Sequence, residues 1–299
     1  MKRILSIDGG GIRGAIPARI LAYLEKRIGP CSKYFDLIAG TSTGGILAAG
    51  LSHTTDGKTP TFSADQLLGL YVNDGPNIFA RSWYEPMALL QVKFPASQIE
   101  PVLQKYFTDV KLSAALTDTL ITAFDQGKWA PRLFKSREAK LDPSKDVPLW
   151  YAARATSAAP TYFPNIDDLV DGGILGATNP SMLALTEAQI AWPGEDVQLL
   201  SIGTGTKDPT VDAQHSHEWG ELAYLKLVVS MLLDGPEKTV ERMAFESLPP
   251  GRYVRIQGQF SGPIPDSAMD NADPANIQHL IKFADQMIED NQKALDSFA

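Results

Sequence analysis

The sequence has little cysteine and no excess of basic residues. Cys31 is the single cysteine among 299 residues, so no internal disulfide forms and cysteine alone cannot build a thiolate metal site. Lysine and arginine number 27 against 35 aspartate and glutamate residues, which gives a formal net charge of −8, and the basic residues are scattered. We therefore expect a protein of a reducing compartment, the cytoplasm, that does not bind nucleic acid.

Long hydrophobic runs are also missing. No window reaches about 18 consecutive apolar residues, and Asp8 interrupts the apolar stretch near the N-terminus before it resembles a secretory signal. With 44% hydrophobic and 21% charged residues, the composition is that of an ordinary globular protein. We expect a cytoplasmic protein that does not span a membrane and whose membrane contact is peripheral and transient.

Two units of strand, glycine turn and helix open the chain. Residues 4–7 form a short apolar run that ends at the glycines of residues 9–11, after which apolar residues recur at helical spacing. Residues 34–39 predict a second buried strand, and the small residues 40–45 predict a sharp turn before another helix. Two such units indicate a parallel sheet with helices on its faces.

The rest of the chain alternates between strand and helix patterns. Further strands are predicted over residues 119–124, 132–135, 197–202 and 253–257, and helices over residues 97–107, 180–192, 221–233 and 275–295. No repeat, low-complexity tract or interdomain linker separates these segments. We expect a single domain over residues 1–299, in which the C-terminal residues 206–299 take part.

The most specific local feature is the segment GTSTG at residues 40–44, which matches the pattern GxSxG between a predicted strand and a predicted helix. In that context Ser42 stands on a strained turn with its hydroxyl above the sheet. Gly40 and Gly44 permit the backbone angles and the close strand–helix contact that the turn requires. By itself the pattern also suits a small-residue turn that caps a helix.

A glycine-rich segment at residues 8–14, DGGGIRG, can supply the donors that such a serine needs. Attack on a carbonyl creates an oxyanion, and removing one donor from an oxyanion hole costs about 3–4 kcal/mol. Consecutive glycines let backbone N–H groups converge on an anion at a helix N-terminus. The predicted oxyanion hole consists of Gly9, Gly10, Gly11 and Arg13, where the arginine adds charge or braces the loop, with Gly14 in support.

The same segment, here called the glycine loop, also matches GxGxxG after a strand, a dinucleotide-binding fingerprint. Three details favour an oxyanion loop: Asp8 stands where a small residue is commoner, an arginine interrupts the glycines, and the GxSxG pattern follows the next predicted strand. Glu25 and Asp36 lie at spacings suited to a ribose-binding acid, but neither ends a clear second strand. A nucleotide-binding protein therefore stays open as an alternative.

A serine nucleophile needs a base, and the histidines offer no compelling one. His53 follows the small-residue helix, His215 and His217 lie in a polar loop, and His279 lies in a late helical pattern. A packing or surface role is the expected one for each of them. The pair His215 and His217 lacks the cysteines or carboxylates of a metal site, so no metal is predicted.

Asp171, in the segment DGG at residues 171–173, is the better candidate for the base. It follows an apolar pair, and Gly172 and Gly173 let the chain pass close to another backbone. A carboxylate is a weaker base than imidazole by about two pK units. It must therefore be desolvated and lie within direct hydrogen-bond reach of the hydroxyl. Alone, the tripeptide is more often a plain turn.

Together, residues 8–14, 40–45 and 171–173 resemble the three motifs of the patatin-like phospholipase family in order and approximate spacing. The resemblance implies a three-layer α/β/α fold with a mostly parallel central sheet, the glycine loop as oxyanion hole, and a dyad of Ser42 and Asp171 that uses no histidine, metal or cofactor. Residues 155–163 resemble the family's segment upstream of the aspartate and are expected to support the site structurally.

The resemblance also implies an activity. It is that of a lipid acyl hydrolase, of phospholipase A or lysophospholipase type, which cleaves lipid esters through an acyl-enzyme intermediate and makes transient contact with a membrane or micelle surface. An acyltransferase on the same fold and a binding module without turnover are alternatives. Aromatic and apolar residues between 79 and 94 are expected to pack in the core, or to line an acyl channel. The preferred lipid and the oligomeric state stay undetermined.

Overall fold

The computed structural model describes residues 1–80, 92–207, 235–262 and 264–298, together with residues 228 and 231. Within these residues seven strands form one sheet, in which β4, β3, β2, β1, β6 and β7 follow one another and β5 pairs with β3. The strands are β1 (Lys2–Ile7), β2 (Leu37–Thr41), β3 (Asp118–Asp125), β4 (Ala130–Lys135), β5 (Leu169–Asp171), β6 (Val197–Ile202) and β7 (Tyr253–Ile256). Neighbours from β3 to β7 are parallel, and β4 and β5 run antiparallel to β3.

Helices connect and cover these strands. They are α1 (Ala15–Ile28), α2 (Cys31–Tyr34), α3 (Thr43–Ser52), α4 (Ala64–Gly69), α5 (Gly75–Ile78), α6 (Ala96–Phe107), α7 (Ser136–Leu141), α8 (Leu149–Thr156), α9 (Ser181–Ala191), α10 (Glu237–Ser247), α11 (Pro274–Asp290) and α12 (Gln292–Phe298). A π-helical turn at Leu70–Asp74, here called the π-turn, joins α4 to α5. None of the described helices combines the length and the apolarity needed to cross a membrane.

Alternate residues of the central strands enter two cores on opposite faces of the sheet. Leu5 on β1 and Ile38 on β2 belong to the larger core, which includes residues of α1, α3, α6, α8 and α11. Ile4 and Leu37 belong to the smaller core, which includes residues of α9 and α10. Because side chains alternate across a strand, this division confirms the predicted three-layer α/β/α fold with a mostly parallel sheet.

The pairing along β3 explains how two distant segments of the chain meet. Strand β4 occupies one side of β3 over residues 120–125. On the other side, β2 pairs with residues 118–122 and β5 pairs with residues 123–125. Strand β5 therefore ends next to the end of β2, and Asp171 lies beside the turn that follows Thr41.

Several element boundaries differ from the predicted ones. Residues 34–36 are not in a strand, because Pro30 starts the short helix α2 and the Phe35 amide closes it on the Cys31 carbonyl at 2.9 Å. The helix predicted over residues 275–295 is divided into α11 and α12 at Asn291. The helix predicted over residues 221–233 lies outside the described residues apart from two positions.

Candidate active site

Ser42 occupies the turn between β2 and α3 in a strained backbone conformation. Its φ is 55° and its ψ is −125°, and a positive φ is uncommon for any residue other than glycine. The Ser42 amide donates to Thr156 Oγ1 at 2.7 Å, and the Ser42 carbonyl accepts from the amides of Gly45 and Ile46 at 2.9 and 3.1 Å. These bonds stabilise a backbone conformation that by itself costs free energy. The Ser42 hydroxyl lies at the surface of a cleft.

Gly40 and Gly44 lie where backbones approach too closely for a side chain. A Cβ at Gly40 would overlap the carbonyl of Gly44, and one at Gly44 would overlap the carbonyl of Ile7 at the end of β1. Helix α3 can therefore start directly against the sheet. This turn, residues 40–44, is called the nucleophile turn below.

Asp171 lies beside Ser42 at the end of β5 and is buried, with 2% of its surface exposed. Burial raises the pKa of its carboxyl to about 6, while hydrogen bonds from the Ser42 side chain and from the Gly173 amide, the latter at 2.8 Å, oppose the rise. Gly172 allows the chain to pass against β3, since a Cβ there would overlap the hydroxyl of Thr122. The predicted serine and aspartate thus meet in the fold.

The glycine loop borders the same cleft, but its amides are not equivalent. The Gly9 amide donates to the Thr178 carbonyl at 3.0 Å, so it is not available to bind an oxyanion. Within the described part of the chain, the amides of Gly10 and Gly11 donate to no protein acceptor, and both glycines line the cleft beside Ser42. Of the three glycines predicted to donate, these two have amides available for an oxyanion.

Arg13 is buried, and its side chain braces the surrounding loops. Its guanidinium donates to the carbonyl of Gly10 at 3.4 Å and to that of Gly205 at 3.2 Å. Thr204 adds a second link between the same loops, because its hydroxyl donates to the Gly9 carbonyl at 2.7 Å. The loop after β6 therefore holds the glycine loop from behind, and Arg13 itself is not among the residues that line the cleft.

A buried ionic network behind the glycine loop was missed at the level of sequence. Arg255 on β7 binds both carboxylate oxygens of Asp8 at 3.0 and 2.6 Å and also reaches Glu237 at 2.6 Å. Burial raises the pKa of Asp8, and the Arg255 guanidinium opposes this rise without cancelling it. An arginine inside the apolar pattern YVRI was the available signal, because a buried charge requires a partner.

The cleft around Ser42 and Asp171 is mostly apolar. It contains about 780 Å³ of space, part of it open to solvent. Its apolar and aromatic lining comprises Ile46, Leu70, Tyr71, Ile78, Phe79, Ile99, Tyr162, Phe163 and Met269. Such a lining suits an acyl chain next to a few polar reacting groups.

The aromatic stretch predicted between residues 79 and 94 lines the cleft at one described end and packs in the core at the other. Phe79 lines the cleft, and Phe94 is fully buried behind it, with their ring centroids 5.4 Å apart. Phe94 also packs against Phe163 at 5.5 Å. The stretch between these ends, residues 81–91, lies outside the described residues.

The histidines within the described residues lie away from Ser42. His53 is buried, and its ring bonds to the Thr61 hydroxyl at 2.8 Å and to the Phe107 carbonyl at 3.1 Å. Burial lowers the pKa of His53, which fits a neutral packing role. His279 lies on α11 and does not line the cleft, and residues 215 and 217 are outside the described part of the chain.

The two carboxylates weighed as ribose ligands have structural partners instead. Glu25 accepts from the amides of Cys31 at 2.9 Å and Ala64 at 2.7 Å, which ties α1 to α2 and α4. Asp36 pairs with Lys2 at 3.0 Å and accepts from the Arg3 amide at 2.8 Å. Neither residue lines the cleft that the glycine loop borders, so the contacts disfavour a dinucleotide site.

Comparison with known proteins agrees with this geometry. A family model for patatin-like phospholipase matches residues 5–185. The chain is 31% identical to patatin-like protein 2 of Oryza sativa subsp. indica, across 99% of this chain and 86% of that protein. It is 30% identical to patatin-17 of Solanum cardiophyllum, across 100% of this chain and 89% of that protein. The chain therefore belongs to the patatin-like phospholipase family of lipid acyl hydrolases.

Proposed function

We propose that this protein hydrolyses carboxylic esters of lipids, with Ser42 as the nucleophile and Asp171 as its general base. The observation that carries the proposal is that the Ser42 side chain lies against the buried Asp171 carboxyl and lowers its pKa. The pair lies in an apolar cleft bordered by the glycine loop. A nucleophile in contact with its base is the arrangement that acyl transfer requires.

The reaction proceeds in two halves. The Ser42 oxygen attacks the ester carbonyl while its proton passes to Asp171, and the tetrahedral intermediate then expels the alcohol, which takes the proton from Asp171. Water next attacks the acyl-enzyme ester, gives a proton to Asp171, and the collapse of the second intermediate returns that proton to Ser42 and releases the fatty acid. Each half uses the carboxylate once as base and once as acid.

The environment of Asp171 suits this exchange. With a pKa raised to about 6 by burial, the carboxyl is ionised at neutral pH yet is a stronger base than an exposed aspartate. Desolvation thereby compensates in part for the absence of imidazole.

Gly10 and Gly11 are the proposed oxyanion donors, since their amides have no acceptor within the described chain and border the cleft. Gly9 and Arg13, which the sequence placed in the same group, then act by holding the loop in position. Fixed donors of this kind stabilise the developing negative charge without reorganisation.

The apolar lining of the cleft supports an acyl chain as the bound group, delivered by transient contact with a lipid surface. The buried single cysteine is compatible with a reducing cytoplasm. Residues 1–299 are proposed to act as one domain, because strands from both halves of the chain complete one sheet.

The test is fatty-acid release from a panel of phospholipids and lysophospholipids. Wild-type protein is expected to release fatty acid, whereas Ser42→Ala and Asp171→Asn are expected to lose at least about a thousandfold in rate, as serine hydrolases do when the dyad or triad is broken. A fluorophosphonate is expected to label the wild type at Ser42.

Two controls complete this test. Circular dichroism spectra that match the wild type show that the variants are folded. Full activity of Ser42→Ala would refute the proposal. Transfer of the acyl group to an added alcohol in preference to water would identify the acyltransferase alternative.

A further inference from the structure

We propose that Tyr71 is a positioning residue for the hydrolysis described above: its hydroxyl holds Thr43, the residue after the nucleophile, and thereby fixes the nucleophile turn against the glycine loop. The inference rests on the proposed function. It concerns a residue outside all three motifs, on the π-turn that joins α4 to α5.

The contact between Tyr71 and Thr43 is buried on both sides. Tyr71 is 3% exposed and Thr43 is 3% exposed. The Tyr71 hydroxyl lies 2.6 Å from the Thr43 hydroxyl and 3.3 Å from the Thr43 carbonyl. Because a buried hydroxyl that loses its partner costs about 1–3 kcal/mol, the pair holds both side chains in one arrangement.

The end of the glycine loop packs on this pair. A Cβ at Gly14 would overlap the Thr43 hydroxyl and would lie 2.6 Å from the Tyr71 hydroxyl. Gly14 closes the short 3₁₀ turn that begins at Gly11. The contact of Gly14 with Thr43 and Tyr71 therefore fixes the position of the Gly10 and Gly11 amides relative to Ser42.

The π-turn also carries part of the cleft wall. Leu70 and Tyr71 line the cleft, as do Gly75 and Ile78 of the following helix α5. Single turns of π-helix are often found at functional sites, since the extra residue redirects side chains within a helix. Here the π-turn carries the side chain that reaches Thr43.

The expected effect is on the chemical step rather than on binding. Without the hydroxyl, the Tyr71 ring still fills its place against the cleft, but Thr43 loses its anchor and Ser42 is held less tightly before the oxyanion donors. One lost hydrogen bond of this kind corresponds to about a tenfold lower rate.

The experiment is a double-mutant cycle with Tyr71→Phe, Thr43→Val and the double variant. We measure kcat and KM on a soluble short-chain ester and, separately, the rate at which a fluorophosphonate labels Ser42. Each single variant is expected to lower kcat and the labelling rate about tenfold with little change in KM. The double variant is expected to lose no more than Tyr71→Phe alone, because Thr43→Val removes one of the two bonds that Tyr71→Phe removes.

Two further variants separate positioning from general packing. Thr43→Ser keeps the hydroxyl and is expected to retain most of the wild-type rate. Tyr106→Phe is the matched control, since the Tyr106 hydroxyl donates to Asp74 on the same π-turn at 2.9 Å but does not line the cleft. It is expected to leave kcat unchanged within about twofold.

The possible results are distinct. The inference is wrong if Tyr71→Phe keeps the wild-type kcat and labelling rate, or if the losses of the single variants multiply in the double variant. Equal losses in Tyr106→Phe would also overturn it. If Tyr71→Phe does not fold, Thr43→Val tests the same bond from its other side. An inactive but readily labelled wild type would refute the proposed lipid hydrolysis while the labelling rates still test Tyr71.

Discussion

At the scale of single residues, the site depends on a carboxyl that the fold removes from water. Asp171 is buried beside Ser42, and burial is the first cause of its raised pKa. The strained φ of Ser42 and the hydrogen bond from its amide to Thr156 help to place the Ser42 side chain beside Asp171. The chemistry assigned to one side chain therefore depends on its immediate surroundings.

The pH dependence of the reaction follows from Asp171. The proposed base acts only when ionised, and its pKa is raised to about 6. We therefore expect kcat/KM on a soluble ester to rise about tenfold per pH unit below pH 6 and to level off above pH 7. A rate that stays constant from about pH 5 to pH 8 would contradict this assignment.

Unfolding of the protein caused by protonation of Asp171 does not account for the loss of rate at low pH. Because the folded-state pKa lies above the ordinary value of 3.8, the folded state binds this proton more tightly than the unfolded state. Protonation of Asp171 as pH falls through 6 therefore stabilises the fold. Thermal unfolding measured at each pH serves as the control.

At the scale of elements, the site is assembled where strands end. The glycine loop follows β1, the nucleophile turn follows β2, Asp171 ends β5, and the loop after β6 braces the glycine loop through Thr204. The carboxyl ends of the parallel strands β1, β2 and β6 meet at one edge of the sheet, which is where open α/β sheets bind ligands. The antiparallel strand β5 brings Asp171 to that edge from the opposite direction. Strand β7 contributes Arg255, whose buried ion pairs with Asp8 and Glu237 hold the outer part of this edge.

Removal of Arg255 is expected to destabilise the protein strongly. Arg255→Met leaves the Asp8 and Glu237 carboxylates buried without their cation, and breaking a buried ion pair from one side costs about 3–5 kcal/mol. The measurement is the free energy of unfolding in urea.

The matched control is Arg242→Met, which breaks a solvent-exposed pair with Glu246 on α10 and is expected to cost less than about 1 kcal/mol. Equal stabilities of the two variants would show that the buried network contributes nothing.

At the scale of the whole molecule, the edge of the sheet that carries the site also carries a projecting aromatic residue. The hairpin between β3 and β4 extends past the position where Asp171 pairs with Ala123. Near its tip Trp129 is 81% exposed, with a φ of 53°. A tryptophan in such a position suits the interfacial zone of a lipid layer. Leu141, 86% exposed, ends α7, the helix that follows β4 at the opposite edge of the sheet.

Trp129 is expected to assist hydrolysis only at a lipid surface. Trp129→Ser is predicted to lower the rate on phosphatidylcholine vesicles about fivefold, because it removes apolar area that enters the interface. The rate on a monomeric short-chain ester is predicted to stay the same. Leu141→Ser is the control of similar exposure and is expected to change neither rate. Equal effects of the two substitutions on vesicles would refute a directed contact.

The local elements and the family could be predicted from the sequence. Strand β6 spans Val197–Ile202 as predicted, and the segments around residues 4–7 and 119–124 needed only small changes at their ends. The reason is that apolar periodicity and glycine turns are properties of neighbouring residues. The order and spacing of the three motifs were enough to predict the family, which the comparisons confirm.

What only the tertiary structure decided are contacts between distant segments. The hydrogen bond from the Gly9 amide to Thr178 and the bond between Tyr71 and Thr43 leave no pattern in the local sequence. The pattern YVRI indicates that Arg255 needs a partner but does not identify Asp8 as that partner. Each depends on the register of strands and on how closely helices pack, and these are set by the whole core at once. The residues of the candidate site could therefore be predicted from the sequence. Which of them are placed to donate to an oxyanion and which support the glycine loop could not.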